Sequence, residues 1–370
     1  MARVLLLYIT ANSGHYRASL AVERAIQRLD PRTPVRCVDA FQHLNPILSR
    51  IVDRTYMSVI RHAPGIWDYL YDNPDVVTRA RTFEHVIHRY DSPKLGRLFD
   101  EFRPTVIACT QAFPCGVAAD YKRRTGSTIP LYAILTDLLP HNFWLHDQVD
   151  GYFVGSEAAG QWFERAGALP AKIHHTGIPI NPVFSDALDG MPRCRALGLD
   201  PAQPTVLLMG GGQGLGPMEQ VVTALDSLHK PIQIVVITGV NTKLQRRLSA
   251  RVGTFRRKVV VLGHVPFVHE LMSFATLIVS KAGGLTTAEA LAKQLPLIIV
   301  DPIPGQEVNN TNLLVAHNAA IRAQRLSEVP LLVSELLGRP DRLAALRRAA
   351  GQLGRPRAAL EIAKILLQPR

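Results

Sequence analysis

Short, continuously apolar runs alternate along the chain with longer stretches whose apolar positions recur every three to four residues. The runs of the first half lie at 4–9, 35–38, 105–109, 131–136, 151–154 and 172–176. Those of the second half lie at 205–209, 232–238, 259–262, 277–280, 297–300 and 319–322. A strand that is apolar on every residue, rather than every second one, is covered on both faces, as in a parallel sheet with helices on each side. Each half therefore predicts its own doubly wound, Rossmann-like α/β domain. Pro179, Pro182, Pro192, Pro201 and Pro204, with Gly190 and Gly198, crowd the stretch between them. The reading is a domain over 1–180, a linker over 181–203, a second domain over 204–345 and a terminal basic helix over 346–370. Two such domains joined by a linker suggest a cleft, with ligands beyond the C-terminal ends of the strands.

Composition narrows the class. With 47% hydrophobic and 19% charged residues in 370, both halves can bury a core, which excludes gross disorder. The four cysteines, Cys37, Cys109, Cys115 and Cys194, form no C-x-x-C pair, so a reducing, cytoplasmic compartment is expected. No stretch approaches the ~20 apolar residues of a spanning helix, and the N-terminal apolar run is too short for a secretory signal. The net charge of +12 favours an acidic partner: nucleic acid, anionic lipid or a phosphorylated small molecule. It is uneven, with 20 basic against 17 acidic residues up to 180 and 22 against 13 after it. A solvated surface accounts for much of it, and nucleic acid has nothing but net charge in its favour.

Five motifs follow strands. Asn12-Ser13-Gly14-His15 opens a helix, where Gly14 allows close approach and His15, near the positive helix end, suits a neutral base or a simple cap. Thr136-Asp137 leads to His141, Trp144 and His146. Asp137 has three readings, orienting a histidine, binding an acceptor hydroxyl or capping a turn, and Trp144 either stacks on a sugar or packs. Gly210–Gly216, with Gly212, Gln213 and Gly214, offers backbone N–H groups to a phosphate. Its spacing is not G-x-G-x-x-G, and the next strand ends in Thr238-Gly239 rather than a ribose-binding acid, which argues against a dinucleotide enzyme. Gly283-Gly284-Leu285-Thr286 starts a helix able to hold a pyrophosphate, with Glu289 one turn in to accept from ribose or to support the helix. Finally Pro304-Gly305-Gln306-Glu307 with Asn310 offers paired donors and acceptors for hexose hydroxyls.

On these motifs the chain resembles the monogalactosyldiacylglycerol synthase and bacterial processive diacylglycerol glucosyltransferase family, itself similar to the lipid II-forming N-acetylglucosaminyltransferase. The most specific stretch is 261–321, with Gly263-His264, Lys281-Ala282-Gly283-Gly284, Glu289-Ala290 and Pro304–Glu307. The resemblance implies a GT-B fold and inverting, metal-independent transfer of glucose or galactose from a UDP-sugar to a membrane lipid such as diacylglycerol. It implies a 1,2-diacylglycerol 3-glycosyltransferase activity needing no cofactor. It makes His15 the base or an acceptor-site residue, and Asp137 is read with it as the second catalytic candidate. It places uracil at His264 and Val265, and ribose at Glu289. The phosphates would lie at Gly212, Gly214 and the Gly283–Thr286 turn, and the hexose at Gln306 and Glu307, with Asn310 shaping that loop. Asn12 stands where the family usually has Gly. Another acceptor on the same fold, a UDP-GlcNAc 2-epimerase and a non-catalytic UDP-sugar sensor are competing readings. The epimerase lacks its carboxylate-rich site here, and the joint presence of His15, Asp137, Glu289, Gln306 and Glu307 disfavours the sensor.

Residues 46–62 read as an amphipathic helix, with Ile47, Leu48, Ile51, Val52, Tyr56, Val59 and Ile60 on one stripe and Arg50, Arg54 and Arg61 elsewhere. Trp67, Tyr69 and Tyr71 follow. Such a segment lies at an anionic membrane surface or packs on its own domain. With lipid acceptors in the family, the expectation is peripheral attachment to the inner face of the cell membrane, with His141, Trp144, Ile51 and Trp67 as acceptor- and membrane-contact residues.

Overall fold

The computed structural model describes residues 2–10, 13–44 and 94–368. The amphipathic segment at 46–62, Ile51, Trp67 and Asn12 lie outside the described residues. Among those described, twelve strands form two parallel six-stranded sheets. The first has the order β2-β1-β3-β4-β5-β6. Its strands are β1 (Val4–Tyr8), β2 (Val35–Asp39), β3 (Val106–Cys109), β4 (Leu131–Ile134), β5 (Gly151–Phe153) and β6 (Ile173–His174). The second has the order β12-β11-β10-β7-β8-β9. Its strands are β7 (Thr205–Met209), β8 (Gln233–Ile237), β9 (Lys258–Leu262), β10 (Leu277–Ser280), β11 (Leu297–Ile299) and β12 (Ala320–Arg322). Every one falls on an apolar run read from the sequence.

The continuous apolarity of β1 has a direct physical use, since successive side chains leave a strand on opposite faces. Leu5 and Leu7 pack with Ile107, Phe163 and Trp144, while Val4 and Leu6 pack with Val22 and Ile26 of the Gly14–Leu29 helix. In the second sheet, Val206 and Leu208 share a core with Val222, Val279 and Ile298.

The chain divides into two compact units. The first comprises residues 1–182, 304–306 and 357–370, and the second 183–303 and 307–356. The segment expected as a linker joins the second unit from 183 onward and carries a helix, Met191–Ala196. The terminal segment, expected as one helix over 346–370, is two. Pro340–Leu353 ends at Gly354, where a Cβ would stand 2.5 Å from the Leu291 carbonyl oxygen, and Pro356 follows. A new helix, Ala358–Leu366, then buries Ala359, Ile362, Ala363 and Leu366 with Val4, Leu6 and Val22 of the first unit.

Each sheet has one point where strand order reverses. In the first, β1 is flanked by β2 and β3; in the second, β7 lies between β10 and β8. Loops leaving the two strands at such a point diverge and leave room for a ligand. The loops after β1, β7 and β10 carry three of the motifs singled out in the sequence, and those after β4 and β11 carry the other two.

Candidate active site

In the first unit the helix after β1 starts on Ser13, whose hydroxyl accepts from Tyr16 N and donates to the Ile9 carbonyl at 2.8 Å. This cap sets His15 in the first turn. His15 Nδ1 lies 2.8 Å from the Thr110 carbonyl oxygen, just past β3, and 3.1 Å from Thr136 Oγ1, just past β4. A carbonyl can only accept, so Nδ1 carries the proton and Nε2 keeps its lone pair. Thr110 is itself fixed. Its buried hydroxyl donates to the His15 carbonyl at 2.9 Å and lies 2.9 Å from Ser19 Oγ. Burial lowers the His15 pKa to about 4, against a raising effect of the Thr110 carbonyl. His141 falls to about 3, through burial first and then through the field of His15, so the two rings are electrostatic neighbours.

Two expectations for this unit change. The groups that hold Nδ1 are Thr110 and Thr136, so Asp137 is not what orients that nitrogen. The Asp137 carbonyl oxygen packs against Gly155, where a Cβ would come within 2.6 Å of it. Trp144 is 3% exposed and belongs to the core with Leu7, Cys109 and Val117, so its ring packs rather than meeting a sugar or a bilayer. The His141 ring lies 6.0 Å from it.

In the second unit the glycine loop after β7 packs backbone to backbone on the loop after β8. A Cβ on Gly214 would stand 2.1 Å from the Thr238 carbonyl oxygen, and one on Gly239 would stand 2.2 Å from that of Gly212. Both glycines are left-handed, at φ +58° and +57°. Val240 N donates to the Gly212 carbonyl, and the N–H groups of Gly214 and Leu215 go to the Gly211 and Gly210 carbonyls. The N–H groups of Gly214 and Thr238 are thus spent on Gly211 and Leu262, while Gly239 packs on Gly212, and exposed Gly212 and half-buried Gln213 form the outer part of the loop.

The turn after β10 is different. Gly283 precedes the Gly284–Ala292 helix, and no side-chain hydrogen bond caps that helix. Its first N–H groups, at Gly284, Leu285 and Thr286, are aligned as an anion site requires. The buried Asn310 amide holds the turn by donating to the Ala282 carbonyl at 2.9 Å. Glu289 is half-buried one turn further along. Both Glu307 oxygens are engaged, Oε1 by the Lys281 ammonium at 2.6 Å and Oε2 by Ile303 N at 2.8 Å. Its carboxylate is therefore anchored to this turn through both oxygens, each of which keeps a second lone pair. Gln306, which precedes Glu307 in sequence and is grouped with the first unit, has a buried Oε1 with no hydrogen-bond partner among the described residues. His264, exposed, and Val265, half-buried, follow β9 at the sheet edge, three strands from β10.

Sequence reasoning gave no role to Thr110, Thr136 or Lys281. Their shared signal is position, each being the first polar residue beyond a strand. Among the described residues no group of three or more His, Cys, Asp or Glu side chains could hold a metal ion. Nor is any of their helices long and apolar enough to cross a membrane.

Comparison with known proteins agrees with the two-unit division. Residues 15–180 match the monogalactosyldiacylglycerol (MGDG) synthase family, and residues 205–354 match the glycosyltransferase family 28 C-terminal domain. A processive diacylglycerol beta-glucosyltransferase of Bacillus subtilis is 31% identical over 348 residues, covering 94% of this chain and 90% of the relative. Among solved structures, MurG of Acinetobacter baumannii superposes with a TM-score of 0.63 at 14% identity, covering 99% of both chains. A UDP-GlcNAc 2-epimerase of Neisseria meningitidis bound to UDP-GlcNAc also gives 0.63, at 12% identity, over 99% of this chain and 100% of that one. The architecture is the GT-B fold.

Proposed function

The chain belongs to the family of monogalactosyldiacylglycerol synthases and diacylglycerol glucosyltransferases, and from that premise we propose an inverting hexosyltransferase that moves glucose or galactose from a UDP-sugar to diacylglycerol. The observation that carries the chemistry is His15, with its Nδ1 proton pinned by the Thr110 carbonyl and Nε2 left as a base. The acceptor hydroxyl oxygen attacks C1 of the hexose, and its proton passes to His15 Nε2. The bond from C1 to the β-phosphate oxygen breaks, and its electron pair leaves with UDP. A base this weak at rest takes the proton late, once the new C–O bond has made the hydroxyl acidic.

The donor would sit in the second unit, its diphosphate on the uncapped N-terminus of the Gly284–Ala292 helix and its ribose on Glu289. Gln306, whose Oε1 is buried without a partner among the described residues, would accept from a hexose hydroxyl. His264 and Val265 would flank the uracil, and His141 the acceptor. Helix N–H groups in place of a cation make a metal-independent reaction the expectation. An acceptor that stays in the bilayer requires the enzyme to work at the membrane, and we place it on the anionic inner face as a peripheral protein.

The test is incubation with radiolabelled UDP-glucose, UDP-galactose or UDP-GlcNAc and vesicles containing diacylglycerol. Label from one of the two UDP-hexoses should move into lipid with the mobility of a glycosyldiacylglycerol. Label that stays in the donor or appears only as free sugar would contradict the proposal.

A further inference from the structure

The turn between β10 and the Gly284–Ala292 helix holds a charge that the chemistry above leaves unused. Lys281 is the first residue past β10, and its buried ammonium lies 2.6 Å from Glu307 Oε1. Its stem runs beside the glycine loop, since a Cβ on Gly216 would touch Lys281 Cγ and Cδ at 3.9 Å. The partner carboxylate is fixed as well. Its Oε2 accepts from Ile303 N at 2.8 Å, and its Oε1 lies 3.5 Å from where a Cβ on Gly283 would stand. The ammonium is therefore stationed between the two glycine turns that flank the reversal point of the sheet, the one after β7 and the one after β10.

A buried ion pair is a poor way to stabilise a fold, because desolvation offsets most of the attraction and an apolar pair of equal volume does as well. The structural tie is also already made, since Asn310, on the Gln306–Ala316 helix that carries Glu307, donates to the same turn at Ala282. The position suits another task. An ammonium has three donors, and Glu307 takes one, which leaves two for an anion. The uncapped helix N-terminus begins three residues further on.

Resting on the UDP-hexose reading, we infer that Lys281 is the side-chain cation of the donor diphosphate and stabilises it as the leaving group, with Glu307 as its positioning residue. As the bond from C1 to the β-phosphate oxygen breaks, the electron pair moves onto that oxygen, UDP gains negative charge, and Lys281 faces it. The acceptor proton goes to His15, and no further reactant is needed. Glu307 then acts through Lys281, by keeping the ammonium aimed at the Gly283 turn and neutralised before the donor arrives.

The test compares UDP with uridine, which shares the base and ribose and lacks the phosphates, by calorimetry on the full chain. Lys281→Met should weaken UDP about 10–100-fold, the range for a lost charge-assisted hydrogen bond, and leave uridine affinity unchanged. Lys281→Arg should recover part of the loss. Glu307→Gln should lower kcat with UDP affinity kept or raised, since the ammonium loses its positioning but not its charge. Equal losses for UDP and uridine, or no loss for UDP, would reduce the pair to a structural tie. If Lys281→Met does not fold, Lys281→Gln, which still reaches Glu307, gives the same comparison. A parent chain that binds neither nucleotide would overturn the donor reading together with the Lys281 role. A parent that binds UDP, with a Lys281→Met variant that binds it equally well, overturns the Lys281 role alone.

Discussion

The two depressed histidines set the behaviour of individual residues with pH. His15 at about 4 and His141 at about 3 are both neutral in the folded protein at pH 7, and burial is the main cause for each. The unfolded chain protonates them near 6.5, so between about pH 6.5 and 4 it binds more protons than the folded one. Stability gained from this difference is complete above pH 6.5 and falls as the pH drops toward 4, by at most about 2.7 kcal/mol per pH unit when both titrate only in the unfolded chain. Unfolding by urea across this range should show the slope, and His15→Gln and His141→Gln should each flatten it. For the same reason the acid limb of kcat/KM should lie near pH 4; a limb near 6.5 would mean that the base is not this histidine. His15 itself was legible from Gly14-His15 at a helix start. Thr110 was not, because it lies 95 residues away and meets His15 only once β1 and β3 are neighbours. Trp144 shows the opposite limit, since an aromatic beside polar residues reads the same whether it stacks on a ligand or fills a core.

Among elements, the strands were legible because two-sided burial writes itself as an unbroken apolar run. The loops were less so. Glycines after β7 suggested a phosphate cradle, yet the bare backbone of Gly214 is used against Thr238. This distinction is measurable. Gly214→Ala meets both a left-handed φ and a carbonyl at 2.1 Å, and should cost about 2–4 kcal/mol from strain and overpacking together. Gly211→Ala shares the φ, with nothing within 4 Å, and should cost only about 1–2 kcal/mol. Equal losses in thermal unfolding would remove the loop-packing account. The terminal helix was expected to run on from its neighbour, because Gly354 and Pro356 alone do not say to which unit the chain goes next. Ile362 is fully buried there, so Ile362→Ala should destabilise the first unit by about 2–5 kcal/mol. UDP affinity, assigned above by proposal to the second unit, should stay near that of the parent, and calorimetry alongside unfolding checks both.

For the molecule as a whole, the account divides labour between the two units: proton transfer in the first, donor binding and leaving-group stabilisation in the second. That division was readable from two sets of strands and from the resemblance, whereas the Lys281–Glu307 pair that serves the second role was not, since its members stand 26 residues apart. With helix N–H groups and an ammonium supplying the positive field, transfer should persist undiminished in excess EDTA, and activity lost and then restored by Mg²⁺ or Mn²⁺ would refute it. The most direct test of the division is His15→Ala, assayed for transfer of labelled hexose to diacylglycerol vesicles beside calorimetry with UDP. The account predicts that turnover falls by roughly two to four decades, as for a lost general base, while UDP affinity is unchanged. Near-parental turnover, or a loss of UDP binding that matches the loss of turnover, would contradict it.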